Sequence, residues 1–184
     1  EIIYGLVLLI VIPSAILINS FLSINQFQKT IDQSLQLKAT AMAEIINVAL
    51  LNGAGDDYVL QQTLQKISQF NNDILSLDVL KYEAENNQFV VRASLDETLI
   101  GKTNKSTTNF LAWNKTWPVA FLSTRKTINT DKVERVWEVA SPLKDANGKP
   151  WGLLSLSTSL KLMDEFVQPV LVRSIVILIV TILV

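Results

Sequence analysis

The chain of 184 residues contains no cysteine and no histidine. Without cysteine it has no disulfide, no thiolate zinc site and no cysteine nucleophile. Without histidine it has no Ser-His-Asp triad, no imidazole metal site and no phospho-accepting histidine. An enzyme would need acid-base pairs made only of carboxylates, lysine or tyrosine, and no motif groups them. We therefore expect no catalysis, no cofactor and no metal in this chain.

The chain also lacks an excess of charge of either sign. Lys and Arg number 16 and Asp and Glu 17, for a formal net charge of -1, so no broad basic field is present and we expect no nucleic-acid partner. The charges are unevenly placed, however, because only Glu1 and Arg173 lie outside residues 29–165. This distribution indicates one polar domain between two apolar ends.

Both apolar ends are predicted to cross a membrane. Residues 1–27 are long enough to cross a bilayer, which needs about 20 apolar residues. A cleaved signal peptide is the competing interpretation, but no basic residue precedes Lys29 and a helical pattern follows directly. Residues 169–184 are still apolar where the chain stops, so they read as the start of a second span. The chain is then a fragment of a larger membrane protein, with residues 28–168 as the domain between the two spans. The charges do not determine on which side of the membrane this domain lies, because the loops that flank the two spans are not part of the chain.

A long helix is predicted to continue from the first span to a C-cap signal near Asn52-Gly53. Its apolar positions recur at heptad spacing. Such a stripe packs against its own domain or against the same helix of a second subunit, and we expect a homodimer through it. The stripe consists of Ile24, Ile31, Leu35, Met42, Ile45 and Ala49.

The remainder of the domain predicts an α+β fold with an antiparallel sheet of about five strands. A second helix begins after Asp56 as N-cap, and period-two alternation then predicts strands at 75–80 and 89–94 around a turn. Residues 95–116 read as a loop with short helices. Three more strands are predicted at 119–127, 134–143 and 151–159, the last two joined by the Asn147-Gly148 turn. Residues 160–168 read as an exit helix.

Two segments of the sequence resemble Cache domains, the PAS-like extracytoplasmic sensors of bacterial transmembrane receptors. One runs from Ser141-Pro142-Leu143 through the Asp145–Gly148 step to the apolar strand that starts at Trp151-Gly152. The other contains Ile100-Gly101-Lys102 after the second predicted strand. The resemblance implies a single PAS-like module with a long N-terminal helix. The Arg-x-x-x-Trp arrangement of amino-acid-binding members has no match, so the ligand class does not carry over.

The resemblance implies the ligand-sensing region of a receptor in a bacterial inner membrane, with residues 28–168 outside the cytoplasm. Such a receptor passes a conformational change through two membrane helices. A sensor histidine kinase is the expected output. A receptor with a diguanylate cyclase or a chemotaxis transducer as output would have the same arrangement of membrane helices and sensor domain over these 184 residues. A protein-interaction module without a small-molecule ligand is the alternative outside sensing. An exposed apolar patch would favour that alternative, and a cavity lined by tryptophan would favour sensing.

A ligand pocket is predicted from aromatic and basic residues in the irregular segment and in the strands that follow it. Trp113 and Trp117 share a helical face if their segment is helical, and Trp137 shares a strand face with Arg135. Guanidinium groups pair bidentately with carboxylates, so Arg125 and Arg135 suggest a small organic acid or similar anion. In the alternative interpretation the tryptophans are core residues and the arginines pair with surface acids.

Overall fold

The structure, a computed structural model, describes residues 2–51, 55–126, 133–161, 163–165, 169, 172–173 and 175–176. These residues form three α-helices, one short 3-10 helix (Glu97–Leu99) and six strands in an α+β arrangement. The helices are α1 (Ile2–Leu50), α2 (Asp57–Phe70) and α3 (Thr107–Lys115). The strands are β1 (Ile74–Glu83), β2 (Gln88–Ser94), β3 (Thr103–Asn104), β4 (Val119–Lys126), β5 (Val133–Lys144) and β6 (Pro150–Ser159).

The strands form one antiparallel sheet in the order β3-β2-β1-β6-β5-β4. The α+β fold and the antiparallel sheet were predicted, but the count of about five strands was wrong. The missed strand is β3, whose Thr103 and Asn104 pair with Val90 and Phe89 inside the segment predicted as a loop. Two residues are too few to show period-two alternation, so the sequence gives no sign of this strand.

One face of the sheet, here named the α1 face, packs against α1 and α2. Leu77, Val79, Leu154 and Leu156 alternate along the two central strands and join one buried cluster with the helices. Alternation places their neighbours on the other face. The helix side of this cluster consists of Ala39, Ala43, Ile46 and Leu50 of α1 and Leu60 and Leu64 of α2.

The packing side of α1 is rotated from the predicted heptad stripe. Ile46 is buried against the sheet, whereas the predicted Ile45 is 70% exposed and Ala49 is exposed. Two small residues, Ala39 and Ala43, are also buried in the cluster with the sheet. The sequence pattern missed this side because alanine contributes little to a hydrophobic stripe. The predicted end of the helix at 52–53 lies outside the described residues.

The opposite face of the sheet, here named the α3 face, carries a second buried cluster beneath α3. Phe89 is fully buried, and its ring centroid lies 5.0 Å from that of Phe110 and 5.9 Å from that of Trp113. Tyr82 on β1 adds a further ring 5.3 Å from Phe89. Edge-to-face and tilted ring pairs at these distances stabilise a core beyond the burial of their area. This aromatic cluster packs α3 against one half of the α3 face.

Local chemistry fixes the ends of the elements, largely as predicted. Asp56 caps α2, its Oδ1 accepting hydrogen bonds from the backbone N–H groups of Tyr58 at 2.9 Å and Val59 at 3.4 Å. In the turn between β5 and β6, Gly148 has φ of 78°, a conformation that glycine adopts without a Cβ clash. Gly152 has a different role, because a Cβ there would lie 3.0 Å from the carbonyl oxygen of Leu80 on the neighbouring strand.

The described residues divide into two compact units. The larger, Leu35–Leu160, contains the sheet, α2, α3 and the second part of α1. The other comprises Glu1–Ser34 and Lys161–Val184, within which Lys161 and residues 163–165 are helical, as the predicted exit helix requires. Among the described residues, no helix meets the length and apolar character required of a membrane span.

Candidate functional site

The second half of the α3 face is polar, in contrast to the aromatic half. Asp78 on β1 lies directly opposite Ser94 on β2 and Ser155 on β6. In the next row, Ser157 on β6 lies opposite Glu138 on β5. Residues directly paired across antiparallel strands project from the same face. This row lies on the α3 face, because Leu80, two residues after Asp78, and Leu153, two residues before Ser155, both belong to the buried cluster on that face.

Arg125 on the edge strand β4 completes this surface. It pairs with Glu134 of β5, and Phe121, four residues earlier on the same strand face, pairs with Glu138. Its guanidinium acts electrostatically on Asp78. We name the group the polar patch: Asp78, Ser94, Arg125, Glu138, Ser155 and Ser157.

Asp78 is the most constrained member of the polar patch. It is only 8% exposed, and the Ser94 hydroxyl donates a hydrogen bond of 2.5 Å to its Oδ1. Ser94 is itself fixed by α2, because Gln61 accepts from the Ser94 N–H at 3.0 Å and donates to its carbonyl at 2.8 Å. These hydrogen bonds hold the buried carboxylate of Asp78 in one orientation.

Burial raises the pKa of the Asp78 carboxyl above its ordinary value of 3.8, since desolvation penalises the charged form. The nearby Asp96 also raises this pKa, whereas the Ser94 hydrogen bond and the Arg125 charge lower it. Burial is the largest of these influences. The ionisation of this carboxyl is therefore controlled by its burial and by the neighbouring groups of the protein.

The raised pKa of Asp78 makes the stability of the domain depend on pH. Folding favours the protonated carboxyl, so the stability gained from it is complete below pH 3.8 and is lost as pH rises through the raised pKa. We expect Asp78→Asn to remove this decline. Urea unfolding of both chains at pH values between about 3.5 and 7 measures the difference.

Asp96 provides a control, because its pKa is shifted in the opposite direction to that of Asp78. Hydrogen bonds from the Thr98 hydroxyl and N–H lower the pKa of Asp96, so it stabilises the domain above pH 3.8 and loses that effect as pH falls through the lowered pKa. Asp96→Asn should therefore cost stability at neutral pH and nothing in strong acid. If Asp78→Asn and Asp96→Asn gave the same pH profile, the assignment of Asp78 would be wrong.

The five residues predicted to line a pocket do not come together. Arg125 belongs to the polar patch, and Trp113 packs in the aromatic cluster on the same face. Trp117 is 68% exposed and lies beyond α3, which ends at Lys115 before a left-handed Thr116 with φ of 52°. The shared helical face of the two tryptophans, which required a continuous helix, is therefore not formed.

The two remaining predicted residues lie on the α1 face. Trp137 is buried in the cluster beneath α1, and Arg135 shares its strand face by alternation, as predicted. The sheet thus separates this pair from Arg125. The face of the sheet on which Arg125 and Arg135 lie depends on the register between β4 and β5, and this register cannot be read from the sequence.

Sequence reasoning missed the carboxylates and serines of the polar patch, although a signal for them is present. On β1 the order Leu77-Asp78-Val79, and on β6 the order Leu154-Ser155-Leu156-Ser157, place polar residues where the strand alternates away from the α1 face. Two such strands side by side indicate a polar surface inside the domain. Within the described ranges, no three metal-ligating side chains are grouped closely enough to hold an ion.

No family model matches the chain, and no curated protein does either. Solved structures do match its fold. The extracellular domain of vpHK1S-Z8, described as a histidine kinase, aligns with a TM-score of 0.58 at 9% identity over 84% of this chain and 63% of its own length. The ligand-binding domain of the Pseudomonas aeruginosa amino-acid chemoreceptor PctC, in complex with GABA, gives 0.52 at 14% identity over 83% and 63%.

A methyl-accepting chemotaxis protein X gives a TM-score of 0.52 at 12% identity over 82% of this chain and 66% of that one. This is the fold of bacterial sensor domains. The resemblance to Cache sensor domains is thereby confirmed at the level of the fold. The chain spans somewhat less than two thirds of each of these three sensor domains.

Proposed function

We propose that the chain is the extracytoplasmic sensing region of a bacterial membrane receptor and that the polar patch binds its small-molecule ligand. The observation that carries the proposal is a buried carboxylate, Asp78, at the centre of a sensor-domain sheet and within electrostatic reach of an exposed guanidinium. Convergent polar groups beside an apolar wall are typical of ligand sites. The aromatic cluster under α3 supplies that wall.

The charges of the polar patch favour a zwitterionic ligand over a simple anion. Arg125 suits a carboxylate, as the sequence predicted. Asp78 and Glu138 add two acidic groups and three serine hydroxyls lie among them, so the same surface also suits an ammonium group. An ammonium ion beside Asp78 compensates the cost of burying its charge. That the PctC domain binds GABA, a molecule with both groups, supports this choice.

The membrane layout is part of the proposal. Residues 1–27 and 169–184 belong to two membrane helices, and residues 28–168 form the domain outside the cytoplasm. The output module lies elsewhere in the full-length protein. A histidine kinase is the output we propose, and a chemotaxis transducer or diguanylate cyclase is the alternative. The similarity of the fold to domains from both a histidine kinase and chemoreceptors supports the first two of these three outputs.

The receptor is proposed to act as a homodimer through α1. Helix α1 forms a groove of about 370 Å³ with the end of α2. Apolar side chains from both helices line it, chiefly Ala41, Ile45, Ala49 and Ile67. An exposed apolar stripe at heptad spacing suits the same stripe of a second copy. Ligand binding would then change the pose of α1, provided that the ligand binds one pose better than the other.

A titration with amino acids and related zwitterions tests the ligand. One that binds is expected to raise the melting temperature by roughly 5 °C at a concentration of about 100 times Kd, from the mass-action stabilisation of a chain of this size. Arg125→Ala and Asp78→Asn should each remove the shift. Thr124→Ala, next to Arg125 but on the other face of β4, should retain it. A shift that survives both patch variants would place the site elsewhere.

A further inference from the structure

A small cavity lies on the α1 face, away from the polar patch. Its volume is about 20 Å³, and its walls include Lys38 of α1, Asp73 between α2 and β1, Trp137 of β5 and Thr158 of β6. About 10–15 Å³ of such space is enough for one water molecule, which also needs two to four polar partners. The cavity is therefore large enough for one water and too small for an organic ligand.

Trp137 supplies the reason for a water to be there. It is 7% exposed, and its indole Nε1 is buried with no hydrogen-bond partner among the described residues. Leaving a buried N–H donor unsatisfied costs free energy comparable to a lost hydrogen bond. Thr158 is the direct cross-strand partner of Trp137, so its side chain projects from the same face.

Asp73 brings an anionic acceptor to the same cavity. Its Oδ2 lies 3.5 Å from Nζ of Lys38, which ties the turn before β1 to α1. Its backbone carbonyl accepts a hydrogen bond of 2.7 Å from the N–H of Ser159 at the end of β6. Donor and acceptors from β5, β6 and this turn therefore surround one water-sized space.

We propose that this cavity binds one structural water, which accepts a hydrogen bond from Trp137 Nε1 and donates to the Asp73 carboxylate and the Thr158 hydroxyl. The water joins the sheet to the turn that holds Lys38 of α1. Leu160, the residue that follows β6, lines the same cavity. If the proposed function holds, this hydrated joint connects α1 with the start of the exit segment, and a shift of α1 that breaks it changes both together.

A double-mutant cycle on the 184-residue chain without ligand tests the water. Trp137→Phe keeps a ring but removes the N–H, and Thr158→Val keeps the shape but removes the hydroxyl. Each is expected to lower the folding equilibrium constant roughly fivefold, the effect of one hydrogen bond. The double variant should lose little more than either single one, because both act through the same water. Urea unfolding measures all four chains.

Trp151→Phe is the matched control. Trp151 also packs against the core beneath α1, and its buried Nε1 has no hydrogen-bond partner in the part of the chain that the structure describes, yet it does not line this cavity. Its effect should add to that of Thr158→Val. Additive effects of Trp137→Phe and Thr158→Val, or a gain in stability from Trp137→Phe, would overturn the proposal. Because no ligand is present, this result is independent of whether the polar patch binds one.

A crystal structure of the chain decides the case if a variant does not fold. We expect an ordered water within about 2.7–3.2 Å of Trp137 Nε1. An empty cavity, or an Nε1 bonded directly to a protein acceptor, would refute the water. Thr158→Ser, which retains the hydroxyl, should retain the water as well.

Discussion

Truncation of Phe89 to alanine is expected to destabilise the domain by about 3–5 kcal/mol, the range for a large aromatic residue lost from a core. Phe89 is fully buried and is the ring that Tyr82, Phe110 and Trp113 all contact. The cavity left by its removal cannot close easily, because these three rings are held by two different elements, β1 and α3. Urea unfolding followed by circular dichroism measures the loss.

Phe70 offers a control of the same residue type. It ends α2 and is 86% exposed, so Phe70→Ala should change the free energy of unfolding by no more than about 0.5 kcal/mol. A cost below about 1 kcal/mol for Phe89→Ala would show that α3 does not depend on the aromatic cluster. The apolar wall proposed beside the polar patch would then lack its main support.

Local elements of this fold were predictable because their signals lie within a few residues. Asp56 begins α2 through a hydrogen bond two residues away, and Asn147-Gly148 supplies the positive φ that the hairpin turn needs. The long strands on either side carry clear period-two alternation. Helix α1, the turn between β5 and β6 and the presence of the long strands follow from such short-range rules, whereas the order of the strands in the sheet, with β1 beside β6, does not.

The site was less predictable because it depends on register between strands distant in sequence. Arg125 and Arg135 both lie on strands that pair with each other, yet they occupy opposite faces, since Arg125 pairs with Glu134 and Arg135 with Thr124. A shift of one residue would have placed them together. The prediction placed aromatic residues in the wall of a pocket, whereas Trp113 and Trp137 pack in the two buried clusters on opposite faces of the sheet.

Bulges add to this difficulty. The register between β1 and β2 changes between Val79 and Leu80, so Val91 faces the aromatic cluster while Ala93, two residues later, faces α1. Strict alternation would have put both on one face. No feature of the local sequence marks the position of the extra residue, and thus the composition of each face becomes clear only from the assembled sheet.

Helix α1 shows the same limit, because it has two apolar surfaces. Ile45 and Ile46 are adjacent and chemically identical, and both line the groove with α2, but Ile46 is buried in the cluster with the sheet while Ile45 is 70% exposed. A heptad pattern alone did not distinguish the surface that belongs to the domain from the one left for a partner. The proposed dimer depends on that second surface.

Replacing Ile45 by lysine is therefore expected to raise the dissociation constant of the dimer by at least about 100-fold, equivalent to roughly 2.7 kcal/mol. An ammonium group in an apolar seam loses hydration, and its partner copy presents Lys38 in the same groove. The fold should be retained, since Ile45 is exposed in the single chain. Sedimentation equilibrium of the chain in detergent micelles measures the association.

Gln36→Lys adds the same charge to the opposite side of α1. Gln36 is exposed and lies nine residues before Ile45, which is about two and a half helical turns. It should leave the dimer intact, so a loss of association specific to Ile45→Lys identifies the seam rather than the charge. Equal dissociation by both variants would indicate general repulsion along α1. A dimer unaffected by either variant would place the contact between copies elsewhere. The groove between α1 and α2 would then be free to bind a different protein, as the alternative of a protein-interaction module requires.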